Sequence, residues 1–149
     1  MKNIFDVDAS TEILQRLELL QPASRALWGK MTVSQMMAHC IAPMKVSLGE
    51  TTPKRTLMGL LFGRMGRKMV LKDEPFKQGL PTDPSFVIKH EPDFDSKKQE
   101  LRETIKKLLA ADKNAMVARP HPFFGKMTVE EWGKLGYKHL DHHFRQFGV

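Results

Sequence analysis

The sequence predicts an all-α protein, a bundle of four amphipathic helices with one long crossover between the second and third. Three observations predict it. Apolar residues recur at helical spacing in four segments, each preceded by a helix-start signal. Between Gly49 and Asp95, Pro53, Pro75, Pro81, Pro84 and Pro92 forbid one continuous helix. No segment alternates as a strand would.

The first helix follows Asp8 to Thr11 and carries Ile13, Leu14, Leu17 and Leu20 on one face. It stops before Gln21-Pro22, because proline and its predecessor disfavour continued helix. The second starts at Thr32 and carries Val33, Met36, Met37, Cys40, Ile41 and Met44. Within the crossover, Met58, Leu61, Phe62, Met65 and Met69 repeat with helical period and predict a short accessory helix, which Gly59, Gly63 and Gly66 weaken. The third helix starts near Ser96, where Ser96 and Gln99 form a capping box, and carries Leu101, Ile105, Leu108 and Leu109. The fourth starts at Thr128 and runs almost to the carboxyl end.

Two of these starts share a pentapeptide. GKMTV occurs at Gly29–Val33 and again at Gly125–Val129. Thr32 with Gln35, and Thr128 with Glu131, each form a capping box. Met31 with Met36, and Met127 with Trp132, add a hydrophobic staple. Gly29 and Gly125 supply the bend into each turn, so the repeat sets where two helices begin and how the chain enters them. Similar entry is expected to place the histidines that follow on comparable faces, one or two turns apart in depth.

With 149 residues, 41% of them hydrophobic and 28% charged, the chain suits one soluble domain spanning residues 1–149. The longest apolar patch, Leu57 to Phe62, is too short to span a bilayer. The amino terminus has no secretory pattern. A lone cysteine, Cys40, excludes an internal disulfide and fits a reducing cytosol, so a cytoplasmic location is expected. The net charge of +7 is largely local: Lys54, Arg55, Arg64, Arg67, Lys68, Lys72 and Lys77 face only Asp73 and Glu74. Arg64, Arg67 and Lys68 are the candidate anion-binding residues, and a solvated basic face is the plainer reading.

Chemistry is concentrated in histidines. On the fourth helix, turning by about 100° per residue groups Trp132, Gly136, His139, Leu140, His143 and Phe147. Lys134, Lys138, Asp141 and Arg145 fall on the opposite, wet face. Histidines four apart on one face can supply two nitrogens to a transition metal, whereas histidines near a helix carboxyl end also simply favour the dipole. His39, at the flank of the second helix's stripe, would complete a three-nitrogen site with one position open. Pro43 removes the hydrogen bond to the His39 carbonyl, and a kink there would turn His39 inward. His142 lies at the stripe's edge, suited to supporting a ligand, touching substrate or facing solvent. Cys40 reads as a small core residue, the methionines as core filler, and His90 and His121 as loop residues with little signal.

The stretches RALWGKMTVSQMMAHC, KDEPFKQGLPTDPSF and HPFFGKMTVEEWGKLGYKHLDHHFRQF resemble the DinB-like superfamily of metal-binding helical bundles. They are most similar to its branch of small bacterial proteins of unknown function. The resemblance runs from about Arg25 to Phe147 and is most specific in the final stretch. It implies a four-helix bundle in which a histidine of the second helix and an H-x-x-x-H pair of the fourth hold a divalent metal. His39, His139 and His143 occupy those positions. Some members of the superfamily transfer low-molecular-weight thiols or isomerise with their help, many pair as homodimers, and the first were associated with DNA-damage induction.

Three readings follow. One is a metal-dependent enzyme, a thiol transferase or hydrolase, with a thiol cosubstrate and a small-molecule substrate received by the basic crossover. Another is a bundle whose metal is structural. The third is a basic module for nucleic acid or a membrane surface, which lacks interleaved aromatics and any specific nucleic-acid motif. Three imidazoles suit zinc or nickel, and also iron or copper.

Overall fold

Every α-helix of the chain but the first begins after a side chain that accepts from one of its free backbone N–H groups. The computed structural model describes residues 1–149, and it contains α1 (Val7–Leu19), α2 (Val33–Leu48), α3 (Leu57–Val70), a 3₁₀ turn (Pro84–Phe86), α4 (Phe94–Ala110), α5 (Lys113–Val117) and α6 (Val129–Gln146). There is no strand; a single bridge joins His121 to Gly125. The first to fourth helices expected from the sequence are α1, α2, α4 and α6, and α3 is the accessory helix of the crossover.

Both capping boxes form. The Thr32 hydroxyl accepts from the Gln35 N–H at 3.2 Å, and the Thr128 hydroxyl from the Glu131 N–H at 3.2 Å. The Gln35 and Glu131 side chains accept in return from the Thr32 and Thr128 N–H groups. The Thr32 hydroxyl also donates to the Glu91 carboxylate at 2.9 Å, tying the entry of α2 to the end of the crossover. Between these helices the contacts close a ring, α2 on α4 and α6, and α1 on α6 and α4. Inside it Ile13, Leu17, Met36, Met37, Cys40, Leu101, Ile105, Leu140 and Phe144 are buried completely. The burial of that many large apolar side chains is the main term holding the helices together. Cys40 is core, its thiol against the Met36 sulfur and its pKa pushed up by burial.

The structure corrects the sequence reading at several places. α1 begins at Val7 after Asp6, ahead of the expected Asp8–Thr11. α4 begins at Phe94, capped by Asp93, whose carboxylate accepts from the Ser96 N–H at 2.8 Å. Ser96 therefore receives a cap instead of forming one with Gln99. On α6 the supposedly wet residues Lys138 and Asp141 are buried. Lys138 donates to the carbonyls of Val70 and Lys72 at 2.9 and 2.7 Å, and Asp141 pairs with Arg16 at 2.8 Å. The crossover and α1 cover that face, which helical periodicity alone does not reveal.

The accessory helix is longer than a short turn, 14 residues, and its glycines are its contact surface. A Cβ on Gly63 would lie 2.1 Å from the Phe123 carbonyl oxygen, and one on Gly59 2.8 Å from the Phe123 Cα. Only glycine lets the backbone of α3 approach the loop before α6 this closely. No helix of the chain is long and apolar enough to cross a membrane.

Candidate metal centre

α2 and α6 run in opposite directions where they meet. The Leu27 N–H donates to the Gln146 carbonyl at 2.8 Å, and the Gln146 side-chain amide to the Trp28 carbonyl at 2.7 Å, so the entry of α2 lies against the end of α6. The expectation that similar entry fixes the relative depth of the histidines is replaced by a different relation. His39 is seven residues after Thr32, and His139 is seven before Gln146. At 1.5 Å rise per residue His39 stands about 10.5 Å along α2 from its cap, and His139 about 10.5 Å along α6 from Gln146.

The three imidazoles converge there. One nitrogen from each of His39, His139 and His143 lies within 4.8 Å of the others. Nε2 of His39 and Nε2 of His139 are 3.1 Å apart, and the ring centroids are separated by 4.7 to 5.0 Å. Zinc–nitrogen bonds of about 2.0–2.1 Å at tetrahedral angles separate ligand nitrogens by about 3.3 Å, so the His39–His139 pair already has ligand spacing. His39 and His143 are buried, and His139 keeps part of its surface in contact with solvent.

Two of the rings are held from behind. His39 donates from Nδ1 to the Phe86 carbonyl at 3.0 Å, which leaves its Nε2 lone pair facing the other rings. His143 donates from Nδ1 to Gln146 Oε1 at 2.8 Å. The Gln146 amide is fixed by its own donation to Trp28, so its oxygen and not its nitrogen faces His143. Hydrogen bonds of this kind set tautomer and orientation in metal-ligating histidines. The donor set fits a borderline transition metal.

Burial keeps all three imidazoles neutral. It lowers the pKa of His39 against the opposing Phe86 hydrogen bond, lowers that of His143 to about 4, and lowers that of His139 well below the ordinary value. For His139 the neighbouring histidines add to the effect. Neutral rings retain the lone pairs that a metal needs.

His142 stands beside this cluster, its ring 5.1 Å from that of His143, between Trp28 and Phe76. It is half-buried, and burial lowers its pKa against the pull of Asp141. A pocket of about 180 Å³ opens next to it, lined by Trp28, Pro75, Phe76, Gln78, Asp141, His142 and Arg145. The structure thus brings together His39, His139 and His143 and places His142 at their edge. Arg64 and Lys68 project from α3 into solvent, and Arg67 pairs with Glu131 and the Lys126 carbonyl. The cation lining the pocket is Arg145.

Three supporting residues escaped the sequence reading. Gln146, three residues after His143, was visible only as a helical neighbour. Trp28 and Phe86 act through backbone carbonyls, for which no residue type gives a signal. His121, read as an uninformative loop residue, is buried; its Nδ1 accepts from the N–H groups of Phe123 and Phe124 at 3.1 Å each.

No curated protein and no solved structure matches the chain. A family model described as a protein of unknown function (DUF1569) matches residues 2–148. With nearly its whole length matched, the chain belongs to the DUF1569 family, whose function is unknown.

Proposed function

We propose that the chain is a single four-helix bundle of DinB-like type that holds one divalent metal ion, zinc or nickel, through His39, His139 and His143. We further propose that it transfers a low-molecular-weight thiol. The observation that carries the metal reading is the convergence of three neutral imidazole nitrogens within 4.8 Å, two of the rings anchored through Nδ1 on protein acceptors. Three protein ligands leave a coordination position open, as in catalytic sites; structural zinc sites are usually closed by four.

A bound divalent ion supplies Lewis acidity, under which a thiol or water ionises near neutral pH. The chain's own residues do the rest. Phe86 and Gln146 hold the His39 and His143 rings in the ligating tautomer. His142, half-buried and neutral, is placed to take or return a proton at the pocket wall. Arg145, whose Nε pairs with Asp141 at 3.0 Å, offers its remaining N–H groups there to the carboxylate of an acidic thiol.

The test begins with elemental analysis of protein purified without a histidine tag. Stoichiometric metal is expected in the parent and in His142→Ala, and its loss is expected in His39→Ala, His139→Ala and His143→Ala. Full occupancy in His139→Ala would sink the proposed site. A thiol-transfer screen on the metal-loaded protein then tests the reaction. Turnover that the His142→Ala and Arg145→Gln variants leave unchanged would refute the roles given to those two residues.

A further inference from the structure

α3 is turned opposite to an ordinary surface helix. Such a helix buries its apolar stripe and shows its polar face to water. Here Gly59 and Gly63 are buried against the loop at Phe123, whereas Leu57, Met58, Leu61, Phe62, Met65 and Met69 stay exposed. Leu57 is 72% exposed, Leu61 67% and Met65 59%, fractions that leave most of each side chain in water. At about 100° per residue, Met58, Leu61, Phe62, Met65 and Met69 share one face, and Gly59 and Gly63 lie about 100° and 140° round the helix from its centre. Arg64 and Lys68 line the margin of that face.

The helix is not a loose arm. Its glycines meet backbone atoms of the loop, Lys138 binds the carbonyls of Val70 and Lys72, and Arg67 pairs with Glu131. The apolar face is therefore displayed by a helix fixed on the body of the protein.

Charge decides what covers it. From Thr51 to Lys72 there is no acidic residue, and Lys54, Arg55, Arg64, Lys68 and Lys72 are exposed and form no ion pair. An isologous contact between two copies would set this acid-free segment against itself. A nucleic-acid backbone would meet the cations and leave the leucines and methionines in water. A surface with negative headgroups over hydrocarbon satisfies both halves, the interfacial amphipathic helix being its usual reader. We propose that α3 docks the protein on anionic lipid membranes, with Leu61, Met65 and their neighbours entering the headgroup boundary and Arg64 and Lys68 meeting lipid phosphates and carboxylates.

The test uses the full chain with sedimented vesicles of phosphatidylcholine, alone or mixed with phosphatidylserine. Binding is expected on the mixed vesicles, little on the neutral ones, with affinity falling as salt rises. Replacing both cations, Arg64→Gln with Lys68→Gln, is expected to weaken it about 25-fold, about fivefold for each. Leu61→Gln with Met65→Gln is expected to weaken it as well, with helix content unchanged because both side chains are exposed. Failure of the parent to bind, equal binding to both vesicle types, or binding that either pair of substitutions leaves intact overturns the proposal. So does a dimer in analytical ultracentrifugation that Leu61→Gln with Met65→Gln dissociates, which would make the face a self-contact. Loss of single-stranded DNA binding in the Arg64→Gln, Lys68→Gln protein, with no vesicle binding by the parent, would also overturn it. None of these results depends on metal content, so the docking face and the metal centre stand or fall separately.

Discussion

Replacing Gln146 by leucine tests whether the proposed metal site is built or incidental. The side chain is buried and makes two hydrogen bonds, accepting from His143 Nδ1 at 2.8 Å and donating to the Trp28 carbonyl at 2.7 Å. Leucine fills nearly the same space, so the loss is almost entirely polar. It strands the Nδ1–H of His143, and a buried group left without its partner costs about 1–3 kcal/mol. The Trp28 carbonyl belongs to a residue only partly buried and is given the lower end of that range. The metal-free protein should accordingly lose about 2–4 kcal/mol in urea denaturation. For the metal the consequence is different in kind, because the His143 ring is free to rotate and to exchange tautomers. Loss of such a support typically lowers metal affinity about 10- to 100-fold. Competition for zinc against a chromophoric chelator reads this directly. Gln146→Glu is the control: it keeps an acceptor toward His143 while it loses the donor to Trp28 and adds a buried charge, so it should be less stable yet retain more zinc affinity than the leucine variant. A Gln146→Leu protein that binds zinc as tightly as the parent would refute the claim that His143 is oriented from behind.

Thr32→Ala and Thr128→Ala should each lower stability by about 1 kcal/mol, the usual worth of an N-cap, read from denaturant midpoints. Thr32→Ala should be the costlier because its hydroxyl also donates to Glu91; unchanged midpoints in both would remove the capping account. His121 gives a pH dependence. Burial pushes its folded pKa down to about 4, with Asp83 opposing, while the unfolded chain titrates near 6.5. Between those values the unfolded state binds more protons, so stability is complete above pH 6.5 and is lost as pH falls toward 4, by about 3 kcal/mol from this group. Asparagine keeps an acceptor for the Phe123 and Phe124 N–H groups and cannot titrate. His121→Asn should therefore remove its share of the acid limb, the rest coming from the buried His39, His139 and His143, and an unchanged limb would show that His121 contributes nothing to it.

The parts of the fold that could be read from sequence are those encoded by side-chain type at fixed spacing. Thr32 and Thr128 announce themselves as caps, and the leucine and methionine stripes of α1, α2, α4 and α6 point inward as their periods require. The three histidines could be picked out for the same reason. What was hidden depends on backbone groups or on neighbours remote in sequence. Phe86 supports His39 through a carbonyl in a proline-rich stretch with no period. Lys138 and Asp141 look like surface residues until α3 and α1 are laid over them. α3 misleads most. Its apolar stripe reads as a buried face, but close approach of the glycine backbone to Phe123 turns the stripe outward. For α4, an aspartate just after Pro92 competes with the serine three residues later and caps the helix first.

The repeated GKMTV acquires its full meaning from the opposed directions of α2 and α6. Both glycines take left-handed backbone, Gly29 at φ 83° and Gly125 at φ 75°, and both threonines cap, so the local structure is written twice. The surroundings are not. Gly125 exchanges two backbone hydrogen bonds with His121, at 2.8 and 3.0 Å, closing a small loop on which α3 rests. Gly29 lies against the Gln146 amide, where a Cβ would come within 2.6 Å of Nε2. The first copy therefore does more than begin a helix. It brings the chain entering α2 onto the end of α6, and so sets His39 against His139. A one-residue insertion between Thr32 and His39 would turn His39 by about 100° and raise it by about 1.5 Å, taking its Nε2 away from the other two rings. The register between two capped helix ends, and not the histidine spacing alone, is what brings three imidazoles to one point.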